Sequence, residues 1–315
     1  MMTKRKKVLK CVKQNSRDVF IMRYNSSGFY EEKLSLIGIG TDFLPKNEKG
    51  EPDAERCSEY FKAAFEKGVT LFFVPSAEDE SIKNLLNESF LKKARNEYLL
   101  SGSIDIEKIS SGEEAEAFFK NQLDNLKSGY FDYYVIENIS PENFEKFENS
   151  KIFEVFSKLK EFGKIKHLGF SFFGSSEFGK NLLKKYQWDF SKINLNFCLW
   201  EKDDITDFYH ALRKKRIPFI ASDPFMGGMI LDPPEEVFDI LKNGEPLFSM
   251  EEWALRWFFD KKGLLCIETS PKTAEDIIKY SEIISSPKTL NSSKKHFLKI
   301  AAQKFSEEKC EGTCI

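Results

Sequence analysis

Two glutamates stand just past short apolar runs, where a carboxyl group could do acid–base chemistry. TLFFVPSAEDE (70–80) carries Glu78, and YYVIE (133–137) closes on Glu137. If the fold sets them across one pocket, the environment of one raises its pKa and the pair can hold and release a proton. The plainer alternative leaves Glu78 in a solvated acidic run and Glu137 hydrogen-bonded to loop amides. Phe72 and Phe73, at the end of the first run, can neither give nor take a proton. The three histidines, His167, His210 and His296, precede a strand core or lie on helical segments, so they read as packing or surface groups. Six cysteines are scattered without a disulfide framework and read as reduced thiols. Cys310 and Cys314 sit together in CEGTC, a spacing that suits neither a CxxC redox pair nor a zinc knuckle, and no metal site is expected.

The elements that must position these groups alternate along the chain. Candidate strands are LSLIGIG (34–40), TLFFV (70–74), YLLSGSI (98–104), YYVIE (133–137), HLGFS (167–171), INLNF (193–197), FIAS (219–222) and LLCIE (264–268). Between them run segments with apolar residues every three or four positions, several stopping at a glycine such as Gly68, Gly129 or Gly163. Eight strand-then-helix units predict an α/β fold, a (β/α)8 TIM barrel with an N-terminal extension and a C-terminal helical tail. A doubly wound sheet is the rival, but no GxGxxG follows the first strand. The expected division is a basic N-terminal extension at 1–21, a barrel at 22–290, and a C-terminal helix with a cysteine tail at 291–315. KRKK (4–7) reads as part of a tail rather than a secretory signal.

Composition narrows the function classes. The chain has 315 residues, is 41% hydrophobic and 31% charged, and carries a net charge of −2. That balance provides no long-range field for nucleic acid or anionic lipid, and no apolar run approaches the roughly 20 residues of a membrane helix. The expectation is a cytoplasmic protein with a small-molecule ligand or a protein partner, no nucleic acid and no membrane.

The segments MRYNSSGFYEEKLSLIGIGTDFLP (22–45), GKIKHLGFSFFGSSEFGKNLL (163–183), SDPFMGGMI (222–230) and EEWALRWFF (251–259) resemble the aldo/keto reductases. They look closest to the branch that carries a ferredoxin-like iron–sulfur segment after the barrel. The resemblance implies NADP(H) and reduction of a carbonyl by hydride transfer, with a tyrosine, lysine, aspartate and histidine handling the proton. Those four positions are occupied here by Glu78, Ser103, Phe73 and Glu137, so the tetrad is not retained. For the cofactor, the resemblance points to Ser171 and Asn194 at the nicotinamide, to Gly227 and Gly228 at the pyrophosphate, and to Ser270 and Lys272 at the adenosine phosphate. Phe172 and Phe173 stand where the family places polar groups and, with Phe73, are expected to fill part of the pocket. CEGTC falls short of the four cysteines an iron–sulfur cluster requires, so no cluster is expected. Loss of the tetrad favours a non-catalytic binding protein on this scaffold. The alternative is a divergent NADP(H)-dependent oxidoreductase acting on a carbonyl or quinone-type substrate with a non-standard proton donor.

Overall fold

The computed structural model describes residues 22–25, 29–75, 80–90, 93–286 and 288–311. Eight parallel strands close a barrel in chain order: β1 (Ile37–Gly40), β2 (Leu71–Phe73), β3 (Leu99–Asp105), β4 (Phe131–Ile139), β5 (Ile165–Phe172), β6 (Phe190–Asn194), β7 (Phe219–Ser222) and β8 (Leu264–Thr269). Pairing of β1 with β8, Ile37 beside Ile267, completes the ring. Helices flank the barrel, and a last helix, Ser292–Glu311, packs on the helix Glu235–Gly244, with Phe297 against Gly244. The TIM barrel expected from the alternating pattern is the fold observed. Among the described residues, no helix is long and apolar enough to cross a membrane.

Local chemistry accounts for the helix limits. Asp53 accepts the Arg56 N–H at 3.1 Å and starts the helix Ala54–Glu66, which buries Cys57, Tyr60, Phe61 and Ala64 on one face. Gly68 (φ +80°) and Gly163 (φ +69°) take the left-handed conformation after their helices, as expected. Gly129 does not. After the helix Gly112–Asn125 the left-handed position falls on Lys127 (φ +47°).

The sixth strand lies three residues earlier than expected, at Phe190–Asn194 instead of 193–197. Asn196 causes the shift. Its Oδ1 accepts the N–H groups of Cys198 (3.1 Å) and Leu199 (3.0 Å), which turns the chain out of the sheet and into the short helix Leu199–Glu201.

Apolar residues form two cores, as a closed barrel requires. The outer one fills the space between sheet and helices. The inner one, including Leu71, Phe73, Tyr133, Val135 and Phe190, fills the barrel itself. Small residues on the odd strands admit large ones from the even strands: a Cβ on Gly38 would lie 2.6 Å from Phe73, and one on Gly169 would lie 2.5 Å from Phe190. The opening segment seals the N-terminal end. The Tyr30 ring lies 3.7 Å from that of His167, its hydroxyl donates to the Asp189 carbonyl at 2.7 Å, and Glu32 meets His167 Nε2 at 3.1 Å. With the bottom sealed and the middle packed, ligand access is left to the C-terminal mouth.

Gly169→Ala pushes a methyl into the Phe190 ring and should lower stability by about 1–3 kcal/mol in urea unfolding. Gly129→Ala, where a Cβ meets nothing within 4 Å, should leave the midpoint nearly unchanged.

Candidate active site at the barrel mouth

Strand alternation sends every second residue inward, and at the C-terminal level the even strands present Phe73 (β2), Glu137 (β4), Lys192 (β6) and Glu268 (β8). Lys192 Nζ donates to Glu137 Oε1 at 2.8 Å and to Glu268 Oε1 at 3.1 Å. The Phe73 ring centroid lies 5.7 Å from the same ammonium. The three charged side chains are largely buried, 18% exposed for Lys192, 21% for Glu137 and 12% for Glu268. A bulge positions Glu137: the β4–β5 register slips between Ile136 and Ile139, and Asn138 turns to φ +64°. Bulges of this kind re-aim side chains beside functional sites.

An ammonium has three N–H groups, and two of those on Lys192 are taken by the glutamates. The ammonium also faces the mouth, a cavity of about 220 Å³ lined as well by Asp42, Ser101 and Ser103. Burial alone would lower the Lys192 pKa, but Glu268 and then Glu137 override it and hold the ammonium above the ordinary lysine range. Glu268 shifts upward because burial outweighs the attraction of Lys192. Its Oε2 is 2.9 Å from the ammonium but outside hydrogen-bond geometry, and so is a buried oxygen with no hydrogen-bond partner. Asp42 stands at the rim. Burial of part of its carboxyl raises its pKa against the pull of Lys192, but its open contact with solvent screens that effect, and we assign it no proton-donor role.

Two further cavities meet this cluster. Glu268 also lines a groove of about 520 Å³ that runs between the loops after β7 and β8. Glu137 and Lys192 also line a cavity of about 350 Å³ over β5 and β6.

Several residues singled out in the sequence come together here. Phe73 and Ser103 line the mouth, and Glu137 meets a lysine instead of loop amides. Glu78 lies outside the described residues, as do Cys314 and the side chain of Cys310. Ser171 and Asn194 line the β5–β6 cavity, where the Ser171 hydroxyl accepts the Asn138 N–H (3.2 Å) and Asn194 Oδ1 accepts the Ser222 hydroxyl (2.6 Å). Gly227, Gly228, Ser270 and Lys272 line the β7–β8 groove. Both glycines have positive φ (+64° and +97°), and a Cβ on either would meet nothing within 4 Å, so their backbone faces open space. The plug of phenylalanines is only partly there. Phe73 does occupy the mouth. Phe172 turns outward and packs on Phe208 (4.7 Å between centroids), and Phe173 is 59% exposed.

Lys192 and Glu268 were not singled out in the sequence. Lys192 fell outside the expected sixth strand, and Glu268 read as the last residue of an apolar run. The signal for both was available: FSKIN and LLCIE each set an ionisable residue at an inward position near a strand end.

Lys192→Met leaves two buried carboxylates facing each other and should cost about 3–5 kcal/mol near neutral pH. The sign with pH follows from the carboxyl side. A carboxyl whose folded pKa exceeds its unfolded one favours folding when protonated, and that stability is lost as pH rises through the folded value. The gap between wild type and variant in thermal melts should therefore shrink from pH 8 to pH 5. In the wild type, the contribution of Lys192 should persist below its ordinary pKa of about 10.4 and fade only at higher pH.

Comparison with known proteins agrees with this geometry. The model of the aldo/keto reductase family matches residues 36–296. No curated protein matches the chain. Among solved structures, the chain is similar to an aldo-keto reductase from Bacillus halodurans in its holo form, at 14% identity and TM-score 0.73, covering 89% of this chain and 96% of that one. It is also similar to a thermostable aldo-keto reductase in complex with the inhibitor epalrestat, at 17% identity and TM-score 0.72, with 89% and 100% covered. A third is an aldo-keto reductase from Klebsiella pneumoniae in complex with NADPH, at 14% identity and TM-score 0.68, with 86% and 91% covered. The expected placement beside the iron–sulfur branch is corrected. The match is to the general family and ends before Cys310, and no group of three or more metal-binding side chains occurs among the described residues. The chain belongs to the aldo/keto reductase family.

Proposed function

We propose that the protein is a divergent NADP(H)-dependent oxidoreductase that reduces a carbonyl or quinone-type substrate, with Glu268 as the proton donor. The observation that carries this reading is the buried Glu268 carboxyl, raised in pKa, with its two oxygens 2.9 and 3.1 Å from the Lys192 ammonium where the mouth meets the β7–β8 groove. A carboxyl kept protonated beyond its usual range is suited to general acid work.

The groove fits the cofactor in its donor set. Gly227 and Gly228 put no side chain between the backbone and a pyrophosphate, which would take the Gly227 N–H from the Asp223 carboxylate that holds it at 2.6 Å, and Ser270 and Lys272 supply a hydroxyl and a cation for the adenosine phosphate. Acids along it are already engaged: Asp276 caps the helix Ala274–Ser285, and Glu251 pairs with Lys279 at 2.7 Å. NADPH, when bound, supplies the hydride. Lys192 directs its third N–H at the substrate oxygen and stabilises the negative charge that grows there. Glu268 gives that oxygen its proton, becomes a carboxylate beside the Lys192 ammonium, and takes a proton back from solvent through the mouth. Glu137 keeps the ammonium in place. These groups come from β6, β8 and β4, whereas the tyrosine and lysine positions of the family pattern fall in the loop after β2 and on β3.

A second reading, binding without turnover, draws on the Phe73 ring, which fills space at the family's aspartate position. One titration separates the two. Quenching or enhancement of NADPH fluorescence in the micromolar range, with slow oxidation by aldehydes or quinones, is the expected result; no binding up to millimolar NADPH leaves the binding-only reading. Glu268→Gln should lower kcat by about 10²–10⁴ with cofactor affinity unchanged. An unchanged kcat in that variant removes Glu268 from the donor role.

A further inference from the structure

The N-terminal face of the barrel, opposite the mouth, holds a further concavity of about 380 Å³ between the opening segment, the end of the helix Asp203–Lys215 and the start of β8. Its charge is one-sided. Arg23, Arg213, Lys261 and Lys262 line it, and no acidic side chain does so among the described residues. This occurs in a chain whose 50 acids slightly outnumber its 48 bases.

Aromatic faces, more than carboxylates, hold these cations. The Arg23 guanidinium lies 4.6 Å from the Phe259 ring centroid, and Lys261 Nζ lies 3.9 Å from that of Trp257 and 4.7 Å from that of Trp200. A ring quadrupole orients a cation without cancelling its charge, so the donors remain available. Among the described residues, Lys261 alone of the four has a carboxylate, Asp260 at 2.9 Å, which it shares with Lys295. Burial still lowers the Lys261 pKa despite that partner, the sign of a cation short of negative charge.

Backbone chemistry secures the arrangement. Gly263 is left-handed (φ +85°), and a Cβ there would lie 2.6 Å from Arg213 Nη1, so the guanidinium rests against a bare backbone. The Asn25 side-chain amide donates to the carbonyls of Leu264 and Leu265 at 2.8 Å each, which ties the opening segment to the rim of β8. The remaining wall is apolar, from Phe29, Leu36, Phe258 and Phe259.

We propose that this concavity is a binding site for a small organic phosphate with a flat or apolar portion, separate from the catalytic mouth. The phosphate is held by Arg23, Arg213 and Lys262, and the apolar portion lies against the phenylalanines. Arginine forks match phosphate oxygens, and a small polyanion supplies the charge that the site lacks. The volume accommodates a small ligand and is too small for a folded partner.

Isothermal titration of the full chain with phenyl phosphate tests the assignment, with inorganic phosphate and phenol as separate arms. The expected result is saturable binding of phenyl phosphate, weaker binding of inorganic phosphate, and no binding of phenol. Arg213→Gln and Arg23→Gln, each checked for an unchanged circular dichroism spectrum, should bind about tenfold more weakly. Should one variant fail to fold, the other carries the comparison. No heat at about 10 mM phenyl phosphate, or equal affinity in wild type and both variants, overturns the proposal. Binding of inorganic phosphate as tight as that of phenyl phosphate overturns the apolar half of it.

Discussion

A lysine inside a barrel cannot keep its charge unpaired, and that constraint organises the mouth of this protein. Lys192 projects from β6 into a space with little solvent, where an unpartnered ammonium would be costly. Glu137 and Glu268 arrive from the strands on either side at even spacing and hold it. The two carboxylates keep the ammonium protonated, while burial, with the Glu137 charge adding a smaller share, pushes Glu268 toward its acid form. The same cluster sets the limits of the three cavities that meet there. Without it, the mouth would be a cup of serines and one phenylalanine with Asp42 at its rim.

The apolar layers beneath serve this cluster. Phe73 presses on Gly38, Phe190 on Gly169, and Tyr30 with His167 seals the far end. A packed interior of this density gives the charged layer no room to sink or tilt, so its geometry is set before any ligand arrives. The loops above it are where backbone strain collects. Asn138 near the end of β4, and Asp223 and Met226 in the loop after β7, all have positive φ without being glycine. Strain of this kind persists where the surrounding structure over-determines it, and it concentrates at working sites.

Family membership and a proton donor on β8, as proposed, are compatible in these terms. The barrel does not require any particular strand to carry the proton; it requires that acid, cation and cofactor groove converge within hydrogen-bond reach. Phe73 and Ser103 stand in the same mouth, and β6 and β8 supply its Lys192 and Glu268. Inspecting the expected positions one by one, as a reading of the sequence does, registers the losses and misses the gains.

The barrel itself was legible in the chain, because eight apolar runs alternating with amphipathic segments admit few other folds. Gly227, Gly228, Ser270 and Lys272 were singled out through the family resemblance, and they line one groove because the loops after β7 and β8 are neighbours. Lys192 was not. A charged residue breaks the apolar run by which a buried strand is recognised, so the strand was placed after it, and only Asn196 turning the chain away shows that FSKIN is the strand. Phe172 and Phe173 likewise look alike in sequence, yet the pleat sends one between helices and the other to solvent. The order of residues determined which elements exist and in what succession. Closure of the sheet alone decided which side chains face each other across it, because the partners on β4 and β8 are 55 and 76 residues from Lys192 and share no local pattern with it.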